Sequence, residues 1–197
     1  MACCDNGEEG IRAALRRDDV NTATTLTIEL YGREIYLWLL TTMGHDEVAT
    51  SDVFQDFAER LVVNIGRFRW ECRLRTWAYQ LARSARHHHT CNPHNRQKFG
   101  RVSQLASKLF ETISSLINAR ERRDAYQRLV QSELSADERE ILILRVDREM
   151  SWDEVARVVE GAELQGSALK RATDRLRQRF RIIKQRLKRA ARKKKLY

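Results

Sequence analysis

Proline and glycine are scarce in this sequence. Among its 197 residues there are one proline and only eight glycines. Because these residue types end helices and build turns, their scarcity favours long uninterrupted helices and excludes a turn-dense sandwich or barrel. Hydrophobic residues make up 42% of the chain, which is enough for a packed core. We therefore expect an all-α protein.

Long apolar runs and a disulfide framework are also missing. No apolar run reaches the roughly 18 residues of a transmembrane helix. The first residues carry neither the basic nor the apolar segment of a secretory signal. Four cysteines are too few for a disulfide scaffold in a chain of this length. These absences predict a cytoplasmic protein without a membrane span.

Positive charge is present in excess but unevenly distributed. The formal net charge is +10, and residues 67–101 hold nine basic residues against one acidic residue. Residues 167–197 hold fourteen basic residues against one, whereas the rest of the chain is acidic on balance. Two separate basic blocks indicate two separate contacts with polyanions. The alternative for either block is a solvated helix face.

The apolar spacing predicts helical units joined by a linker that is helical or flexible. Helical periodicity runs over residues 26–40, over 53–65 behind cap candidates at 50–52, and over 74–88, and the single proline, Pro93, indicates a linker. The predicted organisation is a flexible N-terminal tail at 1–24, a first helical domain at 25–90, a linker at 91–121, a second helical domain at 122–188 and a basic C-terminal tail at 189–197.

The second helical domain has the pattern of a helix-turn-helix. Capping boxes begin at Ser135 and Ser151, Gly161 ends the second of these helices, and Ser167 is a cap candidate for the last one. That last helix has one apolar stripe and is otherwise nearly all Arg and Lys. Such a helix presents its first turns to base edges in the major groove, and its flanking cations contact phosphates. The candidate base-reading residues are Ser167, Lys170, Arg171, Asp174 and Arg175. A solvated helical hairpin is the alternative.

The first basic block alternates cations with aromatic rings over residues 67–83. Cations follow a phosphate backbone, and exposed rings stack on unpaired bases, so this block favours single-stranded DNA over duplex. Trp77 and Leu81 are expected to be core residues, whereas Trp70 lies between two arginines and is expected to be exposed.

A histidine and cysteine cluster follows this block. It comprises His87, His88, His89, Cys91 and His94. Helical spacing within it would suit zinc, but no second cluster completes four ligands, so we predict no metal site. Phosphate-binding glycine loops and paired carboxylates in a cleft are not found either, which predicts no cofactor and no catalytic residue.

Five segments together resemble the extracytoplasmic-function type of the sigma-70 family of RNA polymerase sigma factors. They are residues 51–57 (SDVFQDF), 67–69 (RFR), 74–83 (LRTWAYQLAR), 134–146 (LSADEREILILRV) and 151–156 (SWDEVA). The first three resemble region 2 of the family and the last two resemble region 4. The resemblance spans about residues 25–185, and it departs from the family at Ser84, at the longer turn 159–166 and in the tail beyond Arg186.

The resemblance implies a non-enzymatic initiation subunit with sigma region 2 at 25–90 and region 4 at 122–188. Region 2 would bind core RNA polymerase through Asp52, Gln55, Asp56, Phe57 and Leu61, although Phe57 and Leu61 could equally be core. It would open the minus-ten promoter element through Arg67, Arg69, Trp70, Arg73, Arg75, Trp77, Arg83 and Arg86. Region 4 would read the minus-thirty-five element through the five residues given above. No sensor domain is evident, which favours regulation in trans by an anti-sigma factor.

Two other classes of protein remain alternatives at this point. One is a helix-turn-helix transcriptional regulator that does not depend on core polymerase. The other is a basic RNA-binding or ribosome-associated protein, which would show no preference for two promoter elements at a fixed spacing.

Overall fold

The fold was analysed in a computed structural model, which describes residues 7–91, 130–161 and 163–193. All regular structure in these ranges is helical and none of it is a strand, which confirms the all-α class. None of the helices in these ranges combines the length and the apolar character that crossing a lipid bilayer requires. Most of the predicted linker, 92–121, and the end of the predicted basic tail, 194–197, lie outside the described residues.

The helices belong to two compact units. The first takes its described residues from Met1–Leu39 and Asp46–Ile117, and the second from Leu40–His45 and Asn118–Tyr197. In chain order the elements are α1 (Glu8–Arg16), α2 (Val20–Thr42), α3 (Glu47–Asn64), a 3₁₀ turn (Ile65–Arg67), α4 (Leu74–Cys91), α5 (Ala136–Leu142), a π-helical turn (Ile143–Asp147), α6 (Trp152–Glu160) and α7 (Gly166–Lys193).

The prediction of a flexible tail at 1–24 is wrong for residues 7–24. Helix α1 buries Ile11 and Ala14 completely. The Tyr31 hydroxyl of α2 donates a buried hydrogen bond of 2.8 Å to the Glu8 carboxylate. The apolar residues of α1 span only about one turn, so periodicity in the sequence cannot distinguish this helix from a polar tail. Its packing against α2 shows that it is part of the fold.

Aromatic side chains dominate the core of the first unit. Trp38 of α2 meets Tyr79 of α4 edge to face, with ring centroids 5.3 Å apart. Tyr36 meets Phe54 of α3 in the same way at 5.6 Å. Such pairs contribute about 0.5–1.5 kcal/mol beyond the burial of their area. They hold α2 against α3 and α4.

Helix α3 begins earlier than predicted. Its N-cap is Asp46, whose carboxylate accepts a hydrogen bond of 3.0 Å from the Ala49 amide. The predicted cap residues Thr50 and Ser51 instead donate their hydroxyls to backbone carbonyls one turn back. Aspartate is as good a cap as serine, so the local pattern allowed two starts. The prediction for α4 is confirmed at its first residue, Leu74.

In the second unit both predicted capping boxes are present. The Ser135 and Ser151 hydroxyls accept from the amides of Glu138 and Glu154, whose carboxylates accept from the two serine amides. Gly161 follows α6 with a φ of 136°, a conformation that favours glycine. Helix α7 begins at Gly166, so Ser167 lies in its first turn and the prediction that it caps this helix is wrong.

The apolar stripe of α7 forms one side of the second core. Ala172, Leu176, Phe180, Ile183 and Leu187 are buried, as the spacing predicted. Trp152 of α6 meets Phe180 edge to face at 5.3 Å. The Thr173 hydroxyl also donates to the Asp153 carboxylate at 3.2 Å. These contacts hold α6 against residues 173–180 of α7, and the Lys and Arg side chains of α7 are exposed.

Candidate nucleic-acid interfaces

A stack of three aromatic rings orders the loop before α4. The Phe68 ring lies 4.9 Å from Trp70 and 4.8 Å from Trp77, measured between centroids. Trp77 belongs to the first turn of α4, and all three side chains are half-buried. The stack therefore attaches the loop to the helix, and the expectation that Trp77 is a core residue holds only in part.

Trp70 differs from the exposed residue that the sequence predicted. The Arg12 guanidinium of α1 lies 3.9 Å from the centre of its ring. The Trp70 backbone has a φ of 60°, in the left-handed region that a bulky residue rarely adopts. Sequence analysis missed Arg12 because no local pattern links α1 to a loop so far along the chain.

Predicted cations adjoin this aromatic stack in the sequence. Arg67, Arg69 and Arg73 are exposed, and Arg83, further along α4, is half-exposed. The segment that alternates the three exposed arginines with Phe68 and Trp70 is both cationic and aromatic, and we name it the aromatic-cation surface (residues 67–73). This composition is typical of proteins that bind unpaired strands.

Two other arginines predicted to contact DNA have partners on α2. Arg75 places Nε and Nη2 at 2.8 and 3.0 Å from the two carboxylate oxygens of Glu34 on α2. Arg86 is only 4% exposed, and its guanidinium lies 5.6 Å from the centre of the Trp38 ring. The predicted DNA contact of Arg86 is therefore wrong for this conformation, because its guanidinium is buried between α4 and α2. Arg75 is half-exposed, and its ion pair with Glu34 joins α4 to α2, so its DNA contact stays a prediction.

The predicted polymerase-binding residues divide in the same way. Phe57 and Leu61 are 1% and 0% exposed, so they are core residues and the alternative reading is correct for them. Asp56 is buried as well and pairs with Arg60 at 2.8 Å, with His88 Nδ1 3.8 Å away. Asp52 and Gln55 are half-exposed.

The outer face of α3 carries residues that sequence analysis missed. Val62 and Val63 are 44% and 69% exposed, and Val48 at the other end is 75% exposed. Glu59 lies between them, one turn after Gln55. Burial raises the pKa of the Glu59 carboxyl, and the negative charge of Asp56 raises it further. We name this surface the α3 outer face (Val48, Asp52, Gln55, Glu59, Val62). Its members are three or four residues apart, so the helical spacing of the sequence could have revealed it.

Helix α7 is the second cationic surface. Its twelve Lys and Arg residues are all exposed, and Asp174 is its only acidic residue. Within the described ranges Arg175 pairs with Glu160, Arg177 with Asp174 at 3.4 Å, and Arg186 with Glu138 at 2.8 Å. Of the predicted base-reading residues, Ser167, Lys170 and Arg171 lie together and exposed in the first turns, whereas Arg175 and Asp174 each have an ionic partner.

The histidine and cysteine cluster lies at the C-terminal end of α4. His87, His88, His89 and Cys91 are within the helix, and His94 lies outside the described residues. No three potential ligands come together as a metal site in the ranges that the structure describes.

Comparison with known proteins leaves the chain without an assigned family. No protein-family model matches the sequence, and no curated protein matches it either.

Proposed function

We propose that the chain is a sigma factor of the extracytoplasmic-function type. In this proposal it is a non-catalytic subunit that binds core RNA polymerase and directs promoter recognition, DNA melting and transcription initiation. The observation that carries the proposal is the presence of two exposed cationic surfaces of different character, one in each unit. A protein that binds only one form of nucleic acid does not need both.

The surface of α7 suits duplex DNA. A straight helix fits the major groove, and cations on several of its faces can reach phosphates on either side. Ser167, Lys170 and Arg171 stand in its first turns, where a groove-bound helix contacts base edges. The packing of α6 against Thr173 and Phe180 braces the helix behind these turns, which supports reading of the minus-thirty-five element.

The aromatic-cation surface suits an unpaired strand. Its exposed guanidinium groups can contact successive phosphates, while its rings offer stacking contacts of about 1–3 kcal/mol per base. Opening a duplex costs a few kcal/mol per base, and contacts of this size can offset that cost. This surface is therefore the proposed site for the melted minus-ten element.

The α3 outer face is the proposed contact with core polymerase. In this proposal Asp56, Phe57 and Leu61, which are buried, no longer belong to the polymerase contact. The contact consists of exposed valines at both ends of the face and of acidic and amide side chains between them. An apolar and acidic helix face of this kind can pack on a partner helix with complementary charge. An anti-sigma factor would regulate the protein by covering one of these surfaces.

Promoter-specific transcription tests the proposal. The chain is added to core RNA polymerase on genomic fragments, and new start sites are mapped. Lys170→Ala with Arg171→Ala should reduce promoter-specific initiation by at least about tenfold, because each lost base contact costs about 1–3 kcal/mol. Binding to core polymerase, measured separately, should be unchanged.

The matched control is Arg179→Ala with Arg181→Ala, which removes the same charge from the middle of α7. It should preserve the choice of start sites. The absence of any polymerase-dependent start site for the wild-type chain would refute the proposal. Sequence-specific duplex binding without polymerase would instead support the helix-turn-helix regulator.

A further inference from the structure

A cation covers one ring face of Trp70 in the aromatic stack. The Arg12 guanidinium carbon lies 3.9 Å from the ring centre, which is a van der Waals stacking distance. A guanidinium is planar and delocalised, so it covers a ring much as a nucleobase does. Arg12 therefore lies where a base stacked on Trp70 would have to lie.

The element that carries Arg12 is held independently of this contact. Ile11 and Ala14 anchor α1 through their burial, and Glu8 accepts the hydrogen bond from Tyr31. Release of the Arg12 side chain therefore does not require α1 to leave the first unit. A rotation about the side-chain bonds of one long residue is sufficient.

The position of Arg12 over Trp70 also leaves part of its hydrogen-bonding capacity unused. The Nε atom of Arg12 is buried without a hydrogen-bond partner in the described part of the chain. A buried donor without a partner opposes the contact, while the cation over the ring favours it. In addition, the left-handed φ of Trp70 is a strained conformation that the surroundings must hold in place. These opposing contributions leave the covered state easy to displace.

We infer that the covered face of Trp70 is a binding site for one unpaired nucleobase, and that Arg12 occupies this site in the free protein. The inference rests on the proposed single-strand contact of the first unit. A base that stacks on this face of Trp70 displaces Arg12. In the free chain Arg12 competes with unpaired bases for this ring face. A melted strand that binds to the ring removes this competition by displacing Arg12.

Binding of the full chain to a short unpaired DNA oligonucleotide tests this inference. The dissociation constant is measured by fluorescence anisotropy with a labelled oligonucleotide. The matched control for Arg12→Ala is Arg16→Ala, which removes the same charge from the exposed end of α1. Arg12→Ala should bind about 2- to 30-fold more tightly than Arg16→Ala, the range that corresponds to one cation–π contact. Arg12→Lys, which keeps the charge but loses the planar group, should give an intermediate affinity.

Trp70→Ala in the Arg12→Ala background distinguishes the ring face from a general loosening of α1. It should abolish the gain, because the added affinity comes from stacking on that ring. Equal or weaker binding by Arg12→Ala than by Arg16→Ala overturns the inference, as does a gain that survives Trp70→Ala, or the absence of binding by every variant. None of these measurements contains polymerase, so their failure is separate from a failure to direct promoter-specific transcription.

Discussion

At the scale of single residues, the same residue type has opposite roles in this protein. Arg69 and Arg75 stand six positions apart in one basic block, yet Arg69 is exposed and Arg75 pairs with Glu34 through two hydrogen bonds. The partner of Arg75 lies on α2, so the residues near Arg75 in the sequence do not predict this ion pair. The charge of the block was predictable, whereas the share of that charge available to a ligand was not.

A double-mutant cycle should assign Arg75 to stability. Glu34→Gln and Arg75→Met should each destabilise the fold, with a coupling energy of about 1–2 kcal/mol, because a half-buried ion pair lies between the exposed and buried extremes. The measurement is the free energy of unfolding in urea for the four proteins of the cycle.

The control for this prediction is Arg69→Met, which removes the same charge from the surface. It should change the free energy of unfolding by less than about 0.5 kcal/mol. It should instead weaken binding to unpaired DNA. A coupling energy near zero for Glu34 and Arg75 would leave the DNA contact as the only role predicted for Arg75.

At the scale of elements, helix ends with local side-chain signals were predicted well. The serine-to-glutamate spacing of both capping boxes lies within one helical turn, so the sequence contains the whole interaction. The start of α3 was predicted wrongly because several residues near it could all cap a helix. In the structure Asp46 is the residue that caps α3, through its hydrogen bond with the Ala49 amide.

The two capping serines should contribute measurably to stability. Ser135→Ala and Ser151→Ala should each lower the free energy of unfolding by about 1 kcal/mol, because each leaves a helix amide without its acceptor. Ser167→Ala is the control, since Ser167 lies within α7 rather than at its cap, and it should change stability by less than about 0.5 kcal/mol. Thermal or urea unfolding measures all three, and a large effect of Ser167→Ala would contradict the observed start of α7.

At the scale of the whole molecule, the net charge of +10 is distributed unevenly between surfaces with different proposed partners. The aromatic-cation surface belongs to the first unit, and the cations of α7 belong to the second. The acidic excess of the remaining chain includes the α3 outer face, where we propose a protein contact. Electrostatic attraction to DNA should therefore come from particular surfaces rather than from the total charge.

The salt dependence of duplex binding should show this localisation. Lys188→Ala with Arg192→Ala should reduce the slope of log affinity against log salt concentration by up to about 2, since each phosphate contact contributes about 0.9. Arg16→Ala with Arg33→Ala removes the same total charge from α1 and α2 and should leave the slope unchanged. Equal changes in the two double variants would indicate that only net charge matters.

The sequence by itself determined the helical class, both capping boxes, the buried stripe of α7 and the two basic blocks. Each of these features depends on residues within a few helical turns, where spacing fixes which side chains meet. The tertiary structure alone decided that α1 is part of the first unit and that Arg12 covers Trp70. It also decided that Arg75 pairs with Glu34, that Arg86 is buried, and that the outer face of α3 differs from the predicted one. Those outcomes depend on contacts between helices distant in sequence, and periodicity within one helix carries no information about the partner against which it packs.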